Sequence, residues 1–350
     1  MVPLRRHTEQ VEDHAGGSIH VTQFQRRALP GQFSIERLFE DVRAALPGEV
    51  QVALRINRHP SRGIVGRVAD AISARRCRGT INHVLGDVHY LTWFLPRCGT
   101  ILTVHDCVSL ERMTGLRLRL FWLLWYWWPL RRADHVTVIS EYTRSALLEW
   151  VRYPAERIHV IPPPLSAEFE AARAPARGPR LRLLQVGTGG NKNLARVIEA
   201  VQDLPVDLVI IGKLSAALRS ELERRAISFE SYFDLSRAEL LDQYRRADAL
   251  VFVSTYEGFG LPIIEAQAIG RPVVTSLVCS MPEAAGGGAC LVDPTDVADI
   301  RRGIRRLIED PAYCASLVER GYANAAKYSA AGVAEQYAAL YRALHDRQGR

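Results

Sequence analysis

Short apolar runs rich in β-branched residues alternate along the chain with segments of helical period, the pattern of βαβ units and parallel sheets. A first series of strands is predicted at 19–24, 50–55, 80–85, 100–106, 135–140 and 157–163, separated by helical stretches such as SIERLFEDVRAAL and EYTRSALLEWV. A second series is predicted at 182–187, 206–212, 227–232, 249–254, 271–276 and 290–293. Between them, PPPLSAEFEAARAPARGPR keeps no steady period, which places an interdomain linker at about 163–180. The expectation is an α/β protein of two doubly wound domains, 1–165 and 178–328. Three further helices follow Asp293, and the last, at about 329–350, is free to pack back on the first domain. Parallel sheets bind ligands at the carboxyl ends of their strands, so a ligand shared by two facing sheets belongs in the cleft between them.

Composition agrees with a globular chain: 350 residues, 48% hydrophobic and 24% charged, exclude disordered, collagenous and coiled-coil classes. No apolar run approaches the roughly 20 residues of a membrane-spanning helix, and the polar N-terminus lacks a signal core, so a cytoplasmic location is expected. Cys77, Cys98, Cys107, Cys279, Cys290 and Cys314 stand far apart without CxxC or paired His, which argues against zinc and disulfides and leaves buried thiols as the expectation. The net charge of +7 falls almost wholly in the first half and favours an anionic partner there.

The segment ALVFVSTYEGFGLPIIEAQAIGRPVV carries the most chemistry. Gly258 and Gly260 leave backbone uncovered before a helix that Pro262 is suited to begin, and free amides there would face an anion or sugar oxygens. Glu257, at the end of the strand, and Glu265, in the first helical turn, can flank one pocket and offer two acceptors to a polyhydroxylated ligand. The plainer reading is a turn followed by a dipole-complementing carboxylate. Only three of the 45 basic residues are lysine: Lys192, Lys213 and Lys327. Lys192 lies in QVGTGGNKNL, a strand ending in a glycine loop with Asn191 able to cap the next helix, a place suited to a diphosphate. Lys213 ends the next strand and can line the same cleft, although an exposed charge would look the same.

These segments resemble the retaining glycosyltransferases of family 4, which have the GT-B fold of two facing Rossmann-like domains. The resemblance covers nearly the whole chain and rests on Glu257 to Glu265 in YEGFGLPIIEA, on PVVTS and on SMPEAAGGG. It implies that Glu265 binds ribose hydroxyls of a nucleotide sugar, and that Glu257 with the Gly258, Phe259 and Gly260 amides meets the sugar, beside Leu261. Lys192, with Gly189 and Asn191 in its loop and Lys213 nearby, is implied to neutralise the diphosphate. A second basic residue common in that loop is replaced here by Thr188 or Asn191. In LTVHDCVSL, His105 resembles the family's cleft histidine, with Asp106 beside it. Ser140, equally readable as a helix cap, and Gly31, equally readable as a turn glycine, fall on the acceptor side.

No DxD occurs, so no metal and no cofactor is expected beyond the donor itself. The function expected is retaining transfer of a hexose, mannose or a related sugar, from a nucleotide diphosphate sugar to a glycan or lipid-linked acceptor in polysaccharide biosynthesis. The alternatives are a noncatalytic nucleotide-sugar-binding protein and a hydrolase or epimerase of the same fold. A nicotinamide dehydrogenase is weaker, because VGTGGN lacks the full glycine fingerprint. Nucleic acid is not an expected partner. Four of the six tryptophans (Trp122, Trp125, Trp127, Trp128) cluster between arginines in segment 117–132, a composition suited either to an anionic membrane surface or to a buried helix.

Overall fold

A computed structural model describes residues 18–27, 34–59, 63–173, 175 and 178–348. All twelve predicted strands form, within a few residues of their expected ends. They are β1 Ile19–Gln25, β2 Val50–Ile56, β3 Ile81–Leu85, β4 Thr100–Val104, β5 His135–Val138, β6 Ile158–Val160, β7 Leu181–Val186, β8 Val206–Ile211, β9 Phe229–Tyr232, β10 Ala249–Phe252, β11 Val273–Ser276 and β12 Cys290–Val292. Each sheet has six strands, in the orders β2-β1-β3-β4-β5-β6 and β12-β11-β10-β7-β8-β9. Every pairing is parallel. Parallel strands buried on both faces read as nearly continuous apolar runs, which is why β3, β4, β10 and β11 are buried at every position.

Strand order fixes where ligands can sit. In the first sheet the chain moves outward from β1 to β2 and then restarts at β3, so the crevice opens between β1 and β3. In the second it runs β7, β8, β9 and restarts at β10, so the crevice opens between β7 and β10. The loops after β7 and β10 therefore meet.

The helix Ala330–Gln348 packs on the first sheet: Val333, Ala334, Tyr337 and Tyr341 share a core with Ile19, Val21, Phe39 and Ile81. Tyr341 also hydrogen-bonds Gln23 (3.2 Å) and His83 (2.7 Å). The chain thus crosses between domains twice, and the crossings touch, since Leu165 N donates to Tyr328 O at 2.7 Å. The segment between the sheets is held by the second domain. Phe169 is buried against Tyr244, and Arg271, only 2% exposed, donates to the carbonyls of Ala172, Arg173, Tyr244 and Arg245. Contrary to the buried-thiol expectation, Cys77 and Cys98 are exposed. They lie in the turns that lead into β3 and β4, outside the packed strand interiors.

Candidate active site

The second crevice is built from two glycine loops. Gly187 follows β7 with φ of 94°, and a Cβ there would stand 2.8 Å from Cγ of Lys192, so only glycine lets the lysine stem lie across the loop. One 3₁₀ turn, Gly190–Lys192, and a left-handed Asn193 (φ 58°) then lead into the helix Leu194–Ala200. That extra turn corrects the expected role of Asn191. It stands too early to cap the helix, and its amide donates to Tyr256 O (3.1 Å) and Glu257 Oε1 (3.2 Å). Lys192 Nζ lies 2.7 Å from Glu257 Oε1 and 4.6 Å from the Phe252 ring centre. Gly189 borders this turn. Lys213 is exposed, and its carbonyl accepts from the Thr188 hydroxyl at 2.8 Å, which ties the ends of β7 and β8 together.

Glu257 does not end the strand as expected; β10 stops at Phe252, and Glu257 sits in the loop beyond. Ser280 Oγ, fully buried, reaches the carbonyls of Glu257 (2.8 Å) and Phe259 (2.9 Å) and fixes that loop. Phe259 is buried with its ring edge on Tyr328. Gly260, at φ of 108°, turns the chain into the helix Leu261–Ile269, where Glu265 is the fifth residue and not in the first turn. Tyr244 donates to Glu265 Oε2 at 2.5 Å. Burial raises the Glu265 carboxyl above its ordinary range, against the Tyr244 hydrogen bond and the Arg237 and Lys192 charges.

His105 follows β4, packed edge-on to Phe39 and against the Cα face of Gly86, where any Cβ would strike the imidazole. Its Nε2 is buried without a partner, and burial holds the ring well below the usual histidine range, hence neutral at pH 7. Asp106 Oδ1 accepts from Val108 N at 3.1 Å. Burial, then Asp87 and Glu257, raise its pKa. Gly31 lies outside the described residues.

The domains meet at this point through main-chain groups. Ser140 caps the helix Glu141–Trp150 by accepting from Thr143 N, and donates to Gly258 O at 2.7 Å. Its hydroxyl is thus spent between the domains. Glu283 accepts from the amides of Glu141 (3.0 Å) and Tyr142 (3.4 Å), so a carboxylate of the second domain sits on the N-terminus of a first-domain helix. Tyr256 accepts from Cys107 N at 3.3 Å.

Sequence reasoning missed a charged cluster in the first crevice, in which Arg26 and Glu36 are buried and Asp87 is exposed. Arg26, just beyond β1, lies 2.6 Å from Glu36 and 2.5 Å from Asp87. The available signal was a charged residue at the carboxyl end of the first strand, facing the loop after β3. Tyr244 and Ser280 had no local signal, because their roles depend on partners about 20 residues away in sequence.

Two doubly wound, all-parallel domains joined at this crevice define the GT-B class of fold. Residues 168–324 match the family described as "Glycosyl transferases group 1", and residues 72–169 the family described as "Glycosyltransferase Family 4". The chain belongs to the family 4 glycosyltransferases. It is 30% identical to O-antigen chain mannosyltransferase B of Escherichia coli over 61% of this chain and 61% of that one. With the MMP alpha-(1->4)-mannosyltransferase of Mycolicibacterium hassiacum it shares 27% identity, covering 69% and 64% of the two chains. The match therefore spans less than two thirds of each relative. In fold it is similar to HepE of Anabaena, solved with UDP and glucose, with a TM-score of 0.74, 16% identity and coverage of 93% and 100%.

Proposed function

We propose that the protein moves a hexose, mannose or a related sugar, from a nucleoside diphosphate sugar to a hydroxyl of a glycan or lipid-linked acceptor, with retention at the anomeric carbon. The observation that carries this reading is the Lys192–Glu257 pair at the second crevice, with Glu265 on the helix that follows and His105 on the opposing domain. The mannosyltransferase relatives support the choice of sugar, and the UDP complex of HepE supports the donor class.

Each residue has a role that its surroundings favour. With one oxygen tied to Tyr244, Glu265 keeps the other for vicinal ribose hydroxyls. Lys192, preorganised by Gly187 and Phe252, turns from Glu257 to the diphosphate and stabilises the charge that grows on the leaving group. Glu257 and the Gly258–Gly260 backbone receive the sugar, and the neutral His105 offers it a hydrogen bond without competing for the phosphate charge.

The test is a thermal-shift panel of nucleotide sugars followed by transfer of radiolabelled sugar to membrane extract. A ligand at a hundredfold excess over its Kd stabilises the fold by about 2.7 kcal/mol. Stabilisation together with labelled glycan, and α product from an α donor, is the expected result. Stabilisation without transfer would leave a binding protein; free sugar or an epimer would leave the hydrolase or epimerase.

A further inference from the structure

The Trp-rich segment has two faces with different chemistry. Helix Gly115–Phe121, a π-helical stretch Trp122–Trp127 and helix Trp128–Arg131 run on without a break. One face is core. Tyr126 and Leu130 are buried, Trp93 Nε1 donates to Leu124 O (3.0 Å), Trp122 Nε1 donates to Trp150 O (2.9 Å), and Trp125 stacks on Phe121 beneath the Arg67 guanidinium. The other face leaves Leu116 71%, Leu120 50% and Trp128 43% exposed. Single exposed leucines need no explanation, but Leu116 and Leu120, one helical turn apart, with Trp128 exposed farther along the same run, do.

Arginines frame that face. Arg112, Arg117, Arg119, Arg131 and Arg152 are exposed, against exposed Glu111 and Glu149. Arg131 lies 4.3 Å over the Trp127 ring. Beside it a cleft of about 510 Å³ is bounded by Trp122, Trp127, Trp150, Arg131 and Arg152. The whole segment, 17 residues from Gly115 to Arg131, would be about 25 Å long as a helix, and no helix among the described residues is long and apolar enough to cross a membrane. A helix of this kind lies in the plane of a bilayer surface, apolar side chains among the acyl ends and arginines at the headgroups.

We propose that the first domain docks on an anionic lipid bilayer through Leu116, Leu120 and Trp128, with the arginines of 112–131 and Arg152 binding headgroup phosphates. Charge decides between a bilayer and a second copy of the chain. A twofold contact would set the arginine frame against itself, whereas an anionic surface neutralises it. The docking surface shares no residue with the donor crevice, so its test is independent of the donor reading, while it would bring the cleft to a lipid-linked acceptor.

The full chain is mixed with phosphatidylcholine vesicles, with vesicles containing phosphatidylglycerol, and with the latter plus inorganic phosphate. Cosedimentation and tryptophan quenching by brominated lipid are read, and nucleotide-sugar binding is measured calorimetrically on the same samples. Binding to the anionic vesicles alone is expected, weakened but not abolished by salt and unaffected by free phosphate. Leu116→Ser/Leu120→Ser/Trp128→Ser should abolish quenching with an unchanged melting curve. Arg117→Gln/Arg119→Gln/Arg131→Gln should weaken binding roughly a hundredfold. Absence of quenching in the unmodified protein would overturn the proposal, as would vesicle binding retained by both variants, or a dimer dispersed by the apolar variant. Donor binding would stand in each case.

Discussion

The Lys192–Glu257 pair makes opposite predictions for its two members. Their side chains are 22% and 15% exposed, and the ammonium also lies on the Phe252 ring. Removing one partner of a surface pair costs about 0–1 kcal/mol and of a fully buried pair about 3–5 kcal/mol, so Lys192→Ala should destabilise the ligand-free protein by about 1–3 kcal/mol. At about 2–4 °C per kcal/mol for a domain of this size, the melting temperature falls by roughly 2–12 °C. Lys192→Ala should also weaken binding of a nucleoside diphosphate, for lack of the cation. Glu257→Gln preserves shape and leaves an amide oxygen for Lys192, but removes the carboxylate that competes with phosphate for the ammonium. Loss of about 1–2 kcal/mol of competition means roughly 5- to 30-fold tighter binding of UDP or GDP alone, while sugar transfer falls because the sugar loses its acceptor. Calorimetry with both nucleotides and a radiolabel transfer assay on the two single variants and the double variant supply the cycle. The reasoning is refuted if Glu257→Gln weakens nucleoside diphosphate binding as Lys192→Ala does.

Glu265→Ala should weaken donor binding by about 1–3 kcal/mol in calorimetry, and Tyr244→Phe should raise the Glu265 pKa further, so that its donor affinity fades at a higher pH than the parent's. His83, buried between Tyr341 and Thr103 and lowered to about 3 by burial and then His105, stays neutral in the fold while the unfolded chain takes up a proton below pH 6.5. Stability is therefore full above pH 6.5 and lost as pH falls toward 3, by about 2 kcal/mol at pH 5, and His83→Asn should flatten the melting-temperature slope across that interval. Arg271→Met should strand the carbonyls of Ala172, Arg173, Tyr244 and Arg245, costing about 3–5 kcal/mol in a denaturant titration.

Strands were legible because burial on both faces leaves β-branched runs bounded by glycine and proline, and all twelve were placed from that pattern alone. The two glycine loops of the second crevice were legible as glycines beside lone charges. Their fine placement was not. The 3₁₀ turn that takes Asn191 from capping to bonding Glu257 leaves no periodic trace, and the four residues between Phe252 and Glu257 read as strand because Thr255 and Tyr256 extend the β-prone run VFVS. The Trp-rich segment shows the same limit. Composition marks it as unusual, but its facing is set by three-dimensional contacts, and Trp125 is packed under Arg67 while Trp128 is exposed.

The contacts across the cleft explain why sequence pattern carried so little of the interdomain geometry. Ser140 meets the carbonyl of Gly258, Glu283 meets the amides of Glu141 and Tyr142, and Tyr256 meets the amide of Cys107. Each of these three links pairs one side chain with main chain, so it leaves no complementary residue to recognise on the other side; the Arg237–Asp41 ion pair is a side-chain exception. The same economy bears on motion. These few polar bonds each contribute about 0.5–1.5 kcal/mol net, or about 1.5–3 kcal/mol where the carboxylate is the acceptor, far less than the buried cores on either side. The two chain crossings, by contrast, are fastened to each other where Leu165 pairs with Ser329 and donates to Tyr328, and Arg271 fastens the segment beyond to the second domain. Any opening of the cleft must therefore break the links at Ser140, Glu283 and Tyr256, together with the Arg237–Asp41 ion pair (3.2 Å), and bend at residues 161–165 and 328–330. Glu257 and Gly258 are adjacent in one loop, so the bond that closes the cleft and the residue proposed to receive the sugar move together.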